Sequence, residues 1–228
     1  MEHKMTVLYE GKTKNILKEH ETGDFYLLFK DDATGVDGVF DPGSNTVGLT
    51  VEGAGRAGLT MSVYYFRLLK EKGYPTHFIS AEGNTMTVKQ AIPFGNGLEV
   101  ICRYKALGSF IRRYGGSIRE EAPLDAVVEM TLKDDKRGDP LINEDALAAL
   151  GILNTNQYNE IKMLMKKICE VIKADLAEKH LELCDIKLEF GRNKDGGIML
   201  IDEISGGNMR VMENGKTIHP LELSKKIL

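Results

Sequence analysis

The chain contains no tryptophan, only 3 cysteines and 6 prolines in 228 residues, and no long apolar run. Each scarcity excludes something. The longest hydrophobic stretches, such as Ile198 to Ile201, fall far short of the roughly 20 residues that span a bilayer. Met1-Glu2-His3-Lys4 leads straight into a strand-like segment, so neither a secretory signal nor a transit peptide is expected. Cys102, Cys169 and Cys184 are odd in number, widely spaced and set among apolar residues. That is the usage of a reducing compartment, and a cytoplasmic setting is expected. A content of 42% hydrophobic and 28% charged residues, with 24 glycines, is ordinary for a globular protein and excludes a disordered scaffold. The length suffices for one large domain or two small ones packed together, and for burial of a proper core. With 30 basic and 34 acidic side chains the net charge is −4, which provides no general field for nucleic acid.

Charge is distributed unevenly. From Ile101 to Ile118 no acidic residue occurs, while Arg103, Lys105, Arg112 and Arg113 all do. A basic island in an acidic chain suggests a local anionic ligand such as a small phosphate, the alternative being a solvated charged surface. The first third reads as β-rich, with β-prone runs at Val7-Leu8-Tyr9, Asn15-Ile16-Leu17 and Phe25 to Phe29. A first helix is expected from about Leu59 to Lys72, stopped by Gly73-Tyr74-Pro75. The glycine-rich stretch Glu52 to Gly58 before it reads as a loop. Strands follow near Thr87 to Ile92 and Leu98 to Tyr104, then a short helix from about Ser109. The best helix is expected between about Tyr158 and Lys179, where Ile161, Leu164, Met165, Ile168 and Ile172 form an apolar stripe. A hairpin, Leu183 to Phe190 and Ile198 to Ile204, closes the chain. Strands and helices mixed without strict alternation predict an α+β fold.

Candidate chemistry gathers in three places. In the hairpin, Cys184, Ile186, Leu188 and Phe190 point one way, and Asp185, Lys187 and Glu189 the other. The returning strand delivers Asp202 and Glu203. A pair such as Glu189 and Asp202 suits magnesium bound with a nucleotide, which takes one or two protein carboxylates and otherwise keeps phosphate and water. A one-residue slip would exchange Asp202 for Glu203, and a solvated outer face is the alternative. In Tyr9-Glu10-Gly11-Lys12-Thr13-Lys14 the glycine sets a turn. If the chain after it is extended, Lys12 and Lys14 share a face and could grip phosphates as point charges. The spacing is not that of a Walker A loop, and a simple charged turn is the alternative. Gly108-Ser109 precedes Phe110-Ile111-Arg112-Arg113. Ser109 is therefore a candidate N-cap and, with Arg103, a candidate phosphate site.

These patches, in this order, resemble the phosphoribosylaminoimidazole-succinocarboxamide synthase (SAICAR synthetase) family. The matching stretches are Tyr9 to Lys14, Phe29 to Thr34 with Asp37-Gly38, Arg103 to Ser109, Asp139 to Glu144, Asp185 to Gly191, and Asp202 to Ser205 followed by Arg210. The resemblance implies a two-lobed α+β fold, with residues 1–86 as a β-rich lobe over ATP and residues 87–228 as an α+β lobe holding the metal and substrate sites. It implies an ATP- and Mg2+-dependent ligase. The carboxylate of an aminoimidazole ribonucleotide is phosphorylated, and the amine of L-aspartate then displaces the phosphate. In that reading Gly11, Lys12, Lys14 and Lys89 serve ATP, and Glu189 and Asp202 hold magnesium beside it. Arg103, Ser109 and Arg210 bind the ribonucleotide, while Lys133, Asp185 and Asp37 line the reaction centre. Small-molecule substrates are the expected partners, nucleic acid and membrane are not, and a homo-oligomer is left open.

The departures from the family carry their own expectations. Where the family has Pro and Asp after Asp-Glu-Ile-Ser this chain has Gly206 and Gly207, and Val211 stands where the family has Trp. The family's asparagine-bearing segment is replaced by Glu52 to Gly58, and the chain ends 18 residues beyond Arg210, so the family's last helix is expected to be missing. Nucleotide and metal motifs survive better than substrate loops. Looser binding of the ring and amine is therefore expected, with restoration of Pro and Asp at 206 and 207 tightening it. The rival readings are a sister ligase with another heterocyclic acceptor or amine, and a non-catalytic nucleotide-binding relative. Retention of Lys12, Glu189, Asp202 and Arg210 weighs against the latter.

Overall fold

The computed structural model describes residues 5–36, 39–40 and 47–228. Asp37, one of the expected reaction-centre residues, lies outside them. The chain begins with the antiparallel strands β1 (Met5–Glu10), β2 (Lys14–Glu19) and β3 (Phe25–Phe29). Then come β4 (Asp32–Val36), β5 (Val39–Phe40) and β6 (Val47–Thr50), a small sheet in the order β5-β4-β6. Helix α1 (Ala54–Glu71) precedes β7 (Phe78–Glu82) and β8 (Thr85–Val88), which complete the first sheet in the order β1-β2-β3-β8-β7. The remainder is β9 (Ile92–Pro93), β10 (Leu98–Lys105), α2 (Ser109–Tyr114), β11 (Pro123–Leu132), α3 (Glu144–Ala149) and α4 (Thr155–Glu178), then β12 (Glu182–Arg192), β13 (Ile198–Ile201), β14 (Met209–Glu213), β15 (Lys216–Thr217) and α5 (Pro220–Ile227). The second sheet runs β11-β10-β12-β14-β15, with β13 and β9 also pairing to β12. This is the α+β arrangement the sequence predicts. Among the described residues no helix is long and apolar enough to cross a membrane.

The second sheet has two faces with different tasks. Helix α4 opens with a capping box between Asn154 and Gln157 and buries Ile161, Met165, Ile168 and Ile172. It packs on β10, β11 and β12, whose Val100, Cys102, Met130, Ile186 and Leu188 belong to the same core. Alternation then sends the partners of those residues to the opposite face, where the polar side chains stand.

Several local expectations need correction. Helix α1 starts at Ala54, so much of the stretch read as a loop is helical. Gly55 in it serves close approach instead. A Cβ on Gly55 would lie 2.8 Å from the Lys30 carbonyl carbon and oxygen, and the Gly55 N–H donates to Asp31 Oδ1 at 2.9 Å. The other end is as expected: Gly73 has φ 80°, and its N–H closes on Lys70 O. Ser109 is not an N-cap but the first residue of α2, after Gly108, and no side chain caps that end. Nor does the chain close with the β12–β13 hairpin, since β14, β15 and α5 follow, and α5 packs on α1.

Candidate active site

Register explains how one sheet face becomes a site. On β10, β11 and β12 the cross-strand pairs are Glu99↔Thr131, Ile101↔Glu129, Glu99↔Glu189, Ile101↔Lys187 and Arg103↔Asp185. Asp185 also faces Arg210 on β14, so Arg103, Asp185 and Arg210 form one row across three strands. The polar face of the hairpin is therefore the floor of two cavities, not a solvated outer surface.

The larger cavity, about 600 Å³, lies under the first sheet. Ile16, Phe25, Leu27 and Val88 give it an apolar roof, and Lys14, Lys133, Glu189, Asp202 and Glu203 a charged floor. That volume and mixture suit a ligand with one flat apolar part and one ionic part. The Gly11 turn brings Lys14 inward: the Gly11 N–H donates to Lys14 O at 2.9 Å, and a Cβ on Gly11 would sit 2.5 Å from that oxygen. Lys14 Nζ then reaches Glu203 Oε1 at 2.8 Å and Asp202 Oδ1 at 3.1 Å. Lys133 Nζ donates to Glu189 Oε1 at 2.6 Å. Lys12 Nζ lies 2.5 Å from Asp135 Oδ1, and the exposed Lys89 donates to Thr76 O at 3.1 Å.

The electrostatics separate the two acids. Burial opposes ionisation of Asp202, but Lys14 and Lys133 outweigh it and hold the carboxyl down at about 2. Glu189 is pushed upward, first by burial and then by the charge of Asp202. Burial opposes the charge on Lys14, yet Asp202 and Glu203 more than reverse it, so its ammonium persists well above the usual range. Among the described residues no group of three or more His, Cys, Asp or Glu side chains is arranged to hold a metal. Glu189 and Asp202 are instead two oxygen donors facing a cavity, and that donor set fits magnesium carried in with phosphate oxygens.

The smaller cavity, about 130 Å³, is walled by Arg103, Ser109, Arg112, Arg113, Asp185 and Arg210. Arg103 is the largest fully buried side chain, and every arm of its guanidinium is engaged. Nε donates to Glu129 Oε2 at 2.7 Å, Nη1 to Asp185 Oδ2 at 3.3 Å and Nη2 to Ser109 Oγ at 2.8 Å. Arg113 also holds Glu129, at 2.6 Å, and Arg210 Nη1 holds Asp185 Oδ2 at 2.8 Å. Gly108 is needed here: its φ is 53° and a Cβ would come within 2.7 Å of the Arg210 guanidinium. Four arginines and Lys187 against Glu99, Asp139 and Asp185 leave excess positive charge at a pocket of phosphate size.

Four residues, Glu99, Asp139, Lys187 and Asn208, border both cavities. Lys187 Nζ donates to Glu99 Oε1 at 2.6 Å, and Thr131 Oγ1 donates to Glu99 Oε2 at 2.9 Å. Burial, then the charge of Glu99, raises Asp139 above the ordinary carboxylate range. Of the residues singled out in the sequence, Gly11, Lys12, Lys14, Lys89, Lys133, Glu189 and Asp202 line the larger cavity, while Arg103, Ser109, Asp185 and Arg210 line the smaller. Glu99 and Glu129 were missed because only strand register brings them in.

Gly206 reverses an expectation. A Cβ there would lie 2.8 Å from both Cα and Cβ of Pro220, the first residue of α5. Proline at 206 therefore does not restore a substrate contact but collides with the C-terminal helix. Gly206→Ala should cost about 1–3 kcal/mol of stability by overpacking and should not lower a Michaelis constant. Denaturant unfolding beside steady-state kinetics decides, and unchanged stability with tighter substrate binding would refute this reading.

His77 supplies a pH signature. It is buried, and burial, little offset by Asp202, lowers its pKa to about 4. An unfolded histidine titrates near 6.5, so between those values the unfolded chain binds more protons and stability falls as pH falls. Between pH 7 and pH 5 the contribution is about 2 kcal/mol. The wild type should lose that much more stability than His77→Gln over this interval in urea titrations. Equal losses would show that His77 does not titrate in this way.

An ionic floor under an apolar roof, bordering an arginine-lined pocket, suits an enzyme that binds a nucleotide beside a second, anionic substrate. Comparison with known proteins agrees, because the sequence model of the SAICAR synthetase family matches residues 7–228. The chain belongs to that family. It is 56% identical over 227 residues to phosphoribosylaminoimidazole-succinocarboxamide synthase of Clostridium tetani, covering 98% of this chain and 100% of that one. The corresponding synthase of Thermotoga maritima is 39% identical over 210 residues, covering 91% of this chain and 86% of the relative. Among solved structures, a SAICAR synthetase (Type-2) in complex with ADP superposes with a TM-score of 0.81 at 34% identity, covering 92% of this chain and 86% of that one.

Proposed function

We propose that the larger cavity holds ATP with magnesium on Glu189 and Asp202, that the smaller holds the phosphate of a ribonucleotide, and that the two react where Glu99, Asp139, Lys187 and Asn208 border both. The chain is an ATP-dependent carbon–nitrogen ligase. It joins L-aspartate to the carboxylate of 5-amino-1-(5-phosphoribosyl)imidazole-4-carboxylate, a step of de novo purine biosynthesis. The observation that carries the spatial reading is the shared border itself. Residues 1–86 cover the nucleotide and residues 87–228 carry the acids and arginines, with β8 belonging by pairing to the first sheet. The 3 buried, free cysteines suit a reducing, cytoplasmic setting.

The chemistry follows from what the residues can do. A carboxylate is a poor acyl donor because its oxygen leaves badly. Transfer of the terminal phosphoryl of ATP to that oxygen breaks the bond to ADP and makes phosphate the leaving group. Phosphoryl transfer needs positioning and charge neutralisation more than covalent help. Lys12, Lys14, Lys89 and Lys133 supply positive charge around the nucleotide, and magnesium would screen the phosphates when bound. Lys187 lines both cavities and would face the group in transfer. The aspartate amine then attacks the acyl carbon, phosphate departs, and the ammonium proton must go to a base. Glu99 and Asp139 are the carboxylates at that border, and burial makes Asp139 a stronger base than an ordinary aspartate. Incubation with ATP, magnesium, aspartate and the aminoimidazole carboxylate should yield the amide, ADP and phosphate. Turnover only with another amine or acceptor would assign a sister ligase.

A further inference from the structure

His77 has no role in the chemistry above, yet it is 3% exposed and borders the nucleotide cavity. The segment 75–77 runs parallel to the end of β13. The Leu200 N–H donates to Pro75 O at 3.0 Å, and the His77 N–H donates to Leu200 O at 3.0 Å. His77 O accepts the Lys89 N–H at 2.7 Å, so the same segment ties the end of β8 to β13. Its ring packs on Phe66 at a centroid separation of 5.3 Å. Nε2 lies 3.1 Å from the carbonyl oxygen of Asp202. A carbonyl only accepts, so Nε2 carries the hydrogen.

Asp202 needs that partner. Its φ is 68°, a left-handed backbone that residues other than glycine seldom adopt. It has also left the β12–β13 ladder, whose last pair is Glu189↔Ile201. In this conformation its carboxylate meets Lys14 at 3.1 Å. A carbonyl without a donor there would favour relaxation to ordinary backbone, and that rotation would carry the carboxylate away from the cavity. We propose that His77 is a positioning residue: its Nε2–H holds Asp202 in the left-handed conformation that aims the carboxylate at the nucleotide cavity. The inference rests on the assignment of Asp202 to the magnesium–nucleotide site.

Calorimetry of ADP binding with and without magnesium tests it on the wild type, His77→Phe, His77→Gln and Asp202→Asn. Phenylalanine keeps the ring and its packing but removes the donor, whereas the glutamine amide can reach the same carbonyl. His77→Phe should weaken magnesium-dependent ADP binding by roughly tenfold or more and leave metal-free ADP binding as in the wild type. His77→Gln should restore it. If Asp202→Asn loses magnesium-dependent affinity while His77→Phe keeps it, His77 is only structural and the proposal fails alone. If Asp202→Asn also keeps it, the assignment of Asp202 fails as well. Should the phenylalanine variant not fold, nitrogen NMR of the wild-type imidazole decides. A hydrogen-bonded Nε2–H supports the proposal, and an Nδ1–H tautomer overturns it.

Discussion

Asp202→Asn and Glu189→Gln are each expected to lower turnover by roughly 10²–10³-fold, the scale seen when one preorganised electrostatic partner of a reacting group is removed. Both substitutions keep shape and hydrogen-bonding capacity and remove only charge. In the wild type, Lys14 bridges Asp202 and Glu203, and Lys133 is held on Glu189. Neutralising either acid therefore removes an oxygen donor suited to magnesium and releases a lysine from its place. The magnesium requirement should rise while the fold persists. The check is a magnesium titration of initial rates beside a circular-dichroism melt. Wild-type rates across that titration would reduce the pair to a charged patch.

The second large effect concerns Arg103. Arg103→Met should destabilise the protein by up to about 3 kcal/mol, because removing one member of a buried ion network leaves its buried carboxylates short of countercharge. Glu129 and Asp185, both almost fully buried, keep Arg113 and Arg210 but lose the buried cation they share. Ser109 loses its donor as well, and the smaller cavity loses a buried cation from its wall. Arg103→Lys should recover little, since one ammonium cannot serve three acceptors placed around a planar fork. Urea unfolding measures the first effect, and ribonucleotide binding to the lysine variant the second. If Arg103→Met kept full stability and ribonucleotide affinity, the row Arg103–Asp185–Arg210 would not be the floor of a phosphate site.

What the sequence made legible were features encoded within one segment. The alternation along β12 separates Ile186 and Leu188 from Asp185, Lys187 and Glu189 without reference to any other strand. The stripe from Ile161 to Ile172 is likewise local, and so is the glycine stop after α1. Features that depend on pairing were not legible. Glu99 and Glu129 become functional because β10 and β11 register them beside Lys187 and Arg103. β11 itself carries a mixed pattern and a positive φ at Ala126, which blur its period. Glycine was ambiguous in the same way. Gly55 and Gly206 read as flexibility or loss in the sequence, but both mark places where another backbone comes too close for a Cβ. His77 gave no signal, because its partner is a carbonyl set 125 positions away.

The acyl phosphate proposed to form between the two cavities is tested most directly by oxygen tracing. The aminoimidazole ribonucleotide is labelled with ¹⁸O in its carboxylate and incubated with ATP, magnesium and aspartate, and the released phosphate is examined by mass spectrometry. If the carboxylate oxygen attacks phosphorus and later leaves with it, each phosphate carries one labelled oxygen and the amide retains the other. Amide accompanied by unlabelled phosphate would mean that the carboxylate is never phosphorylated, and would contradict the transfer across the border of Glu99, Asp139, Lys187 and Asn208.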